Sequence, residues 1–217
     1  MKFKAVIFDL DGTLLNTLQD LANAYNRMLE NMKFPIHSLN AYRYFVGDGT
    51  RMCVARTLPA KNRDKHTIDK CLHTVRKDYS KNLNIFTRLY DGIYEMLNAV
   101  SDQGIKMAIL SNKPQKDTEK CVMEYLSSWK FSAVLGQRDT IPIKPDPFSA
   151  LAIASQFKIL PEEFIFLGDT ATDMKTATAA GMFPVGALWG FRTRKELKET
   201  GAKITVKNPT DILNFIK

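Results

Sequence analysis

Cysteine is scarce in this chain, with three among 217 residues. Cys53, Cys71 and Cys121 are widely spaced and include no Cys-x-x-Cys pair, which argues against a disulfide framework and a structural zinc site. His66 and His73 lie near Cys71, but no second ligand pair stands at zinc spacing, so a polar helix carrying a stray cysteine explains them better. Sparse, unpaired cysteines are typical of a reducing compartment. We therefore expect a cytoplasmic protein.

Long apolar runs are also lacking. No window approaches the roughly 20 apolar residues that a membrane helix needs. The first residues, MKFKAVIFDLDG, begin with basic side chains, but the apolar run that follows is too short for a secretory signal and leads directly into acids. We expect no membrane partner and a chain that folds as one large domain, or as one domain with a smaller one inserted.

Arginine-rich runs, zinc fingers and the aromatic signatures of RNA-binding domains are absent, although the net charge is +8. Between Asn16 and Asn84 there are 12 basic and 6 acidic residues, so this segment carries six of the eight excess charges. A localised positive field suits a small anionic substrate better than a nucleic acid. We expect no specific nucleic-acid partner; a nucleic-acid binder would show affinity that falls steeply with salt.

Five short segments have the continuous hydrophobicity of parallel strands covered on both faces. They are Ala5–Phe8, Met107–Leu110, Ala133–Leu135, Phe164–Leu167 and Val185–Leu188. Amphipathic stretches of helical length separate them. This alternation predicts an α/β fold with a Rossmann-like parallel sheet and right-handed crossovers.

One interval breaks the alternation. About seventy residues with helical patterning separate the first strand from the next strand–helix unit, which begins near Tyr90. Unstructured loops of that length are rare in compact domains. We predict a catalytic core of residues 1–15 and 85–217 and an inserted all-helical cap of residues 16–84.

Polar and acidic residues follow four of the predicted strands. They are Asp9, Asp11, Gly12 and Thr13, then Ser111, Asn112 and Lys113, then Lys144 and Pro145 in a proline-rich loop, and finally Gly168, Asp169, Thr170 and Asp173. Ligands of open α/β sheets bind beyond the carboxyl ends of the strands. Four acids at one rim need a cation, and hard carboxylate oxygens without clustered histidine or cysteine favour Mg²⁺ over zinc. Lys144 and the Ser111 hydroxyl can then bind a phosphoryl group of the substrate.

These motifs, in this order, resemble the four motifs of the haloacid dehalogenase superfamily, and the helical segment resembles that family's cap. The resemblance covers essentially the whole chain. The Ser-Asn-Lys-Pro form of the second motif and the segment Leu188-Trp189-Gly190-Phe191 are similar to the phosphoglycolate phosphatase group. The resemblance implies a Mg²⁺-dependent phosphatase of a small phosphorylated metabolite, with 2-phosphoglycolate as the leading substrate. We expect it to act as a monomer or a homodimer.

The resemblance also implies roles for the rim residues. Asp9 is expected to attack phosphorus and form an aspartyl-phosphate. Asp11 is expected to protonate the leaving oxygen and then to activate water. Mg²⁺ is expected to bind Asp9, the backbone carbonyl of Asp11, Asp169 and, directly or through water, Asp173. Ser111 and Lys144 are expected to bind the transferring phosphoryl oxygens.

Substrate contacts are expected from four further residues. Gly12, Thr13 and Asn112 belong to the first two motifs, and Gly12 allows the backbone to approach phosphate closely. Arg51 follows the turn-forming segment Val46–Thr50 in the predicted cap, where it could pair with a second anionic group on the substrate.

Two alternative functions remain open from the sequence. A phosphosugar mutase of the same superfamily would pass the phosphoryl group from the aspartate back to the substrate, but the Ser-Asn-Lys-Pro motif disfavours it. A non-catalytic protein that binds a phosphorylated ligand would be expected to lack a catalytic carboxylate, and none is missing.

Overall fold

The computed structural model describes residues 3–216 and contains one main sheet. The strands of these residues are β1 Ala5–Phe8, β2 Leu15–Asn16, β3 Arg88–Leu89, β4 Lys106–Pro114, β5 Ala133–Gln137, β6 Phe164–Gly168, β7 Phe183–Ala187 and β8 Ile204–Val206. The sheet has the order β5-β4-β1-β6-β7-β8, and every neighbouring pair is parallel. In its centre β1 pairs with β4 and β6, which brings three of the predicted motif strands side by side.

The helices of residues 3–216 are α1 Leu18–Asn31, α2 Leu39–Phe45, α3 Thr50–Thr57, α4 Lys65–Lys81, α5 Ile93–Asp102, α6 Gln115–Tyr125, α7 Phe148–Phe157, α8 Ala171–Ala179, α9 Arg194–Glu199 and α10 Leu213–Ile216, with 3₁₀ turns at Ala60–Asn62, Pro161–Glu163 and Pro209–Ile212. Helices that follow β3 in the chain cover both faces of the main sheet. Val6 and Phe8 join the apolar cluster that includes α5 and α6, whereas Ala5 and Ile7 join the one that includes α7 and α8. Because successive side chains of a strand point to opposite faces, β1 is buried on both sides. None of the described helices has the length and hydrophobicity to span a membrane.

The helices α1 to α4 form an insert between β2 and β3, and they pack around their own apolar cluster. The two short strands pair antiparallel, Leu15 with Leu89, where the chain leaves and re-enters the core. The buried Asp20 carboxylate accepts hydrogen bonds from the backbone N–H groups of Phe86 and Thr87, at 3.0 and 2.9 Å, so it holds the two connections together. The predicted α/β fold with a helical insert is confirmed, and the bounds 16–84 stay a prediction.

Several strands differ from the sequence prediction, among them the short pair β2 and β3, which was not predicted. The strand predicted to end at Leu110 continues through Ser111–Lys113 to Pro114, with a register shift against β5. The strand predicted at Val185–Leu188 spans Phe183–Ala187, so its start precedes Pro184. The edge strand β8 was not predicted, because three residues are too few for a hydrophobic period to be recognised.

Candidate active site

Three carboxylates meet at the carboxyl ends of the central strands. Asp9 follows β1, Asp169 follows β6, and Asp173 lies in the first turn of α8. All three are buried, and one oxygen from each lies within 4.8 Å of the others. Within residues 3–216 they are the single group of carboxylates, imidazoles or thiols close enough to share a metal ion.

Lys144 lies between two of these acids. Its Nζ donates to Asp9 Oδ1 at 2.7 Å and to Asp173 Oδ1 at 2.6 Å, and its side chain is buried. Burial lowers the pKa of Lys144, but Asp173 and Asp9 together raise it above its ordinary value. The lysine is therefore a permanent cation that offsets part of the charge of the acid cluster.

One lysine does not neutralise three buried carboxylates. Burial, followed by the charge of Asp173, raises the pKa of Asp9 well above its ordinary range. Burial and Asp173 likewise raise the pKa of Asp169 to about 7. Clustered carboxylate oxygens whose charge one lysine offsets only in part match the ligand preference of Mg²⁺, so the donor set fits the predicted metal.

Asp169 is fixed from two directions. Its Oδ1 accepts a hydrogen bond from the Thr13 hydroxyl at 3.0 Å, and its Oδ2 accepts one from the Phe191 backbone N–H at 2.7 Å. The indole of Trp189 donates to the Thr13 carbonyl at 2.9 Å. Thr13 was predicted to bind substrate, and the structure uses its hydroxyl to orient an acid of the cluster. The Phe191 contact involves the backbone, so no side-chain pattern in the sequence could reveal it.

Gly12 packs against the same acid. Its φ of 90° favours glycine, and a Cβ at this position would overlap the Asp169 carboxylate. We expect Gly12→Ala to lower the free energy of unfolding by about 1–3 kcal/mol and to lower kcat by about a hundredfold, because Asp169 must move. Thermal unfolding and phosphatase assays measure both effects.

Gly104→Ala is the matched control for that prediction. Gly104 also has positive φ, at 69°, but nothing lies within 4 Å of a Cβ built there. The Gly104→Ala variant should lose only the free energy of unfolding that the backbone strain costs, and its turnover should not change. Equal loss of turnover in both variants would contradict the proposed contact between Gly12 and Asp169.

Asp11 points away from the acid cluster and toward the insert. Lys113 Nζ donates to Asp11 Oδ1 at 3.0 Å and to the hydroxyl of Tyr79, which lies on α4, at 2.6 Å. Burial lowers the pKa of Lys113, but Asp11 raises it well above its ordinary value, so the amine is charged. Sequence reasoning assigned no role to Lys113 and overlooked Tyr79, because a helix of the insert contacts the rim only in three dimensions.

The remaining residues of the second motif lie nearby. Ser111 lines the cavity described below, and its hydroxyl accepts a hydrogen bond from Lys113 N at 3.2 Å. The Asn112 amide pairs with the backbone of Lys144, with both hydrogen bonds at 2.9 Å, and it also donates to the Gly47 carbonyl at 3.1 Å. Asn112 was predicted to bind substrate, whereas its side chain holds the backbone of Lys144 and reaches the insert.

The structure does not bring Arg51 to this rim. Its guanidinium forms an exposed ion pair with Asp69 at 2.5 Å, and the predicted substrate contact of Arg51 stays a prediction. Other polar contacts join the insert to the core. Arg43 donates to the Gly190 carbonyl at 2.5 Å, and the Asp48 carboxylate accepts a hydrogen bond from the Thr172 hydroxyl.

The core and the insert line a cavity with about 610 Å³ of empty space, part of which is open to solvent. Its wall includes Asp9, Asp11, Ser111, Asn112 and Lys113 from the core, and Tyr25, Gly49, Thr50, Cys53, Arg76 and Tyr79 from the insert. The cavity thus places a nucleophile candidate, a proton-transfer candidate and cationic groups around one small volume. Such a site suits a small anionic ligand.

The comparisons with known proteins identify the family. The family model for haloacid dehalogenase-like hydrolases matches residues 6–187. The chain belongs to this family. A phosphoglycolate phosphatase of Pseudomonas putida is 32% identical over 219 residues, covering 99% of this chain and 77% of the relative. The phosphoglycolate phosphatase of Thiobacillus denitrificans is 31% identical, and the match covers 92% of this chain and 89% of the relative.

A solved structure gives the same result. A protein from Lactobacillus delbrueckii subsp. bulgaricus, assigned to the phosphoglycolate phosphatases, superimposes with a TM-score of 0.93 at 25% identity, covering 100% of this chain and 99% of that one. The predicted family and its phosphoglycolate phosphatase-like group are confirmed. The chain is accordingly a phosphatase, a phosphoric monoester hydrolase.

Proposed function

We propose that this phosphatase depends on Mg²⁺ and hydrolyses a small phosphorylated metabolite, with 2-phosphoglycolate as the leading substrate. The observation that carries the proposal is the buried group of Asp9, Asp169 and Asp173 beside Lys144, of which Asp9 also lines the cavity between the core and the insert. The names of the relatives support the choice of substrate.

In the proposed reaction Asp9 attacks phosphorus in line with the ester oxygen and forms an aspartyl-phosphate. Lys144 and the Ser111 hydroxyl donate to the phosphoryl oxygens as negative charge moves between them. Asp11 delivers a proton to the leaving oxygen, and it later takes a proton from the water that hydrolyses the intermediate. The fixed position of each group supplies much of the rate enhancement.

Mg²⁺ would be held by Asp9 and Asp169, by the backbone carbonyl of Asp11, and by Asp173 directly or through water. Bound there, it would neutralise charge on the phosphoryl group. Thr13 and the Phe191 N–H already fix the Asp169 carboxylate, so this ligand needs little rearrangement to receive the ion.

The helical segment 16–84 is proposed to act as the cap that closes the cavity and excludes water during the reaction. Arg43, Asp48 and Asn112 supply hydrogen bonds between it and the core. The three cysteines are free and buried, which supports a reducing compartment, and we propose the cytoplasm.

A screen over phosphorylated metabolites, with Mg²⁺ and with EDTA, tests the proposal. We expect phosphate release from 2-phosphoglycolate to exceed that from neutral phosphomonoesters and to fall to background in EDTA, with recovery after Mg²⁺ is returned. Product analysis separates a phosphatase from a mutase, because a mutase returns an isomerised phosphosugar. Unchanged turnover in EDTA, or no release from any acidic phosphomonoester, would contradict the proposal.

A further inference from the structure

Among the described residues, Lys113 is the buried cation of the cavity wall, and the proposed reaction leaves it without a role. Its side chain is only 2% exposed, and its Nζ lies 3.0 Å from Asp11 Oδ1. Burying an ammonium costs free energy unless it is well paired. A buried cation beside the proton-transfer candidate therefore needs an explanation beyond packing.

One hydrogen bond of Lys113 is long enough for a ligand to replace it. An ammonium carries three N–H donors, and within residues 3–216 its acceptors are the Tyr79 hydroxyl at 2.6 Å and the two Asp11 carboxylate oxygens, Oδ1 at 3.0 Å and Oδ2 at 3.3 Å. Tyr79 approaches from the insert and also places its ring 4.7 Å from the ammonium. These contacts hold the amine at the edge of the cavity, where a ligand carboxylate can take the donor that makes the 3.3 Å contact with Asp11 Oδ2.

The position of the amine also fits a particular substrate. Asp11 must lie within hydrogen-bond reach of the leaving oxygen, roughly 2.6–3.2 Å. A carboxylate that is one carbon away from that oxygen lies within a few bond lengths of it. Since Lys113 Nζ contacts Asp11, rotation about the bonds of that one carbon can bring the same carboxylate within reach of the amine.

Other cations are less suitable. Lys144 is occupied by Asp9 and Asp173, and Arg51 is paired with Asp69 on the exposed surface. Among the described residues that line the cavity, Arg76 is the second cation, and its side chain is largely exposed. A buried ammonium discriminates charged from neutral ligands more strongly than an exposed guanidinium does.

We propose that Lys113 is the specificity-determining residue of this phosphatase, and that its ammonium binds a carboxylate located one carbon from the ester oxygen of the substrate. This inference rests on the proposed function and deepens it. Tyr79 acts as a positioning residue, because its hydroxyl holds the amine beside Asp11.

Binding of two unreactive phosphonates tests the inference directly. 3-Phosphonopropionate has the shape of 2-phosphoglycolate with carbon in place of the ester oxygen, and propylphosphonate replaces its carboxylate with a methyl group. Calorimetry in the presence of Mg²⁺ measures both dissociation constants for the wild type and for Lys113→Met and Lys113→Gln. We expect the wild type to prefer the carboxylate by roughly tenfold or more, and both variants to lose that preference.

Two variants serve as controls, and both should keep the wild-type ratio. Lys116→Met removes an exposed lysine close in sequence, and Arg76→Met removes the other cation of the cavity wall. A wild type without preference, a preference that survives in both Lys113 variants, or one that is lost in Arg76→Met alone would overturn the inference. Lys113→Gln retains a hydrogen-bonding side chain, so it provides the test if Lys113→Met does not fold.

Kinetics separate this inference from the proposed function. The ratio of kcat/KM for 2-phosphoglycolate to that for 2-hydroxyethyl phosphate should fall at least tenfold in Lys113→Gln. If the wild type cleaves neither compound, the proposed function fails. If the wild type prefers 2-phosphoglycolate and Lys113→Gln keeps that ratio, only the inference about Lys113 fails.

Discussion

Asp9→Asn is expected to lower turnover of every phosphomonoester by roughly 10⁴-fold or more while the protein stays folded. An amide has almost the shape of the carboxylate but cannot act as the nucleophile that forms the phosphoenzyme. The substitution also removes one of three mutually repelling acids, and burial together with Asp173 raises the pKa of Asp9. We therefore expect the metal-free variant to unfold at a temperature no lower than that of the metal-free wild type.

The measurement combines steady-state kinetics with thermal unfolding. Asp139→Asn, at an exposed position, is the matched control and should retain full turnover. Mass spectrometry must exclude hydrolysis of the new amide back to aspartate, because a trace of restored carboxylate would supply activity. Turnover near the wild-type level in a sample with an intact amide would rule out Asp9 as the nucleophile.

Lys144→Met is expected to reduce both turnover and stability. Loss of a donor to the phosphoryl oxygens should lower kcat roughly 10²- to 10³-fold. Removing the cation also leaves Asp9 and Asp173 buried without their partner. Breaking a buried pair in this way should lower the free energy of unfolding of the metal-free protein by about 3 kcal/mol at pH 8.

The stability loss should depend on pH. Burial already raises the folded-state pKa values of Asp9 and Asp169, the latter to about 7, so folding favours protonation of these acids. The ionised forms of these two acids lower the free energy of unfolding at pH values above their folded-state pKa. This loss disappears as the pH falls toward the pKa that the acids have in the unfolded chain. Denaturant unfolding in EDTA should therefore show a smaller effect of Lys144→Met at pH 5.5 than at pH 8.

An exposed lysine–carboxylate pair provides the control for Lys144. Lys4 and Glu163 are 2.5 Å apart, but the Lys4 side chain is 58% exposed. Lys4→Met should cost less than about 1 kcal/mol, because water screens such pairs. A loss of stability in Lys144→Met that is as small as in Lys4→Met would contradict the electrostatic role given to Lys144.

Much of the fold could be predicted from hydrophobic pattern alone, because a parallel strand covered on both faces needs a continuous apolar run. Val6, Ile7 and Phe8 are fully buried and show how strong that signal is. The strands β2 and β8 have two and three residues, and their pairing depends on tertiary neighbours rather than on local pattern. The sequence therefore predicts the centre of the sheet well and its short accessory strands poorly.

The active site likewise contains residues whose positions the sequence pattern predicts and residues whose positions depend on tertiary packing. Asp9 and Asp169 follow buried strands, so topology alone predicts that they meet. Whether Arg51 turns toward the cavity or toward Asp69 depends on how the insert packs, and no local pattern decides it. The contact between Tyr79 and Lys113 likewise joins residues 34 positions apart on different parts of the fold.

The paired strands at the base of the insert have a consequence for evolution. Because Leu15 and Leu89 are adjacent, the core can receive inserts of different length without changing the path of its own chain. The acids of the rim all belong to the core, whereas six of the eight excess positive charges belong to residues 16–84. Mutation or exchange of this segment can therefore change the part of the cavity wall that includes Tyr79, while the acids of the rim and Lys113 stay with the core.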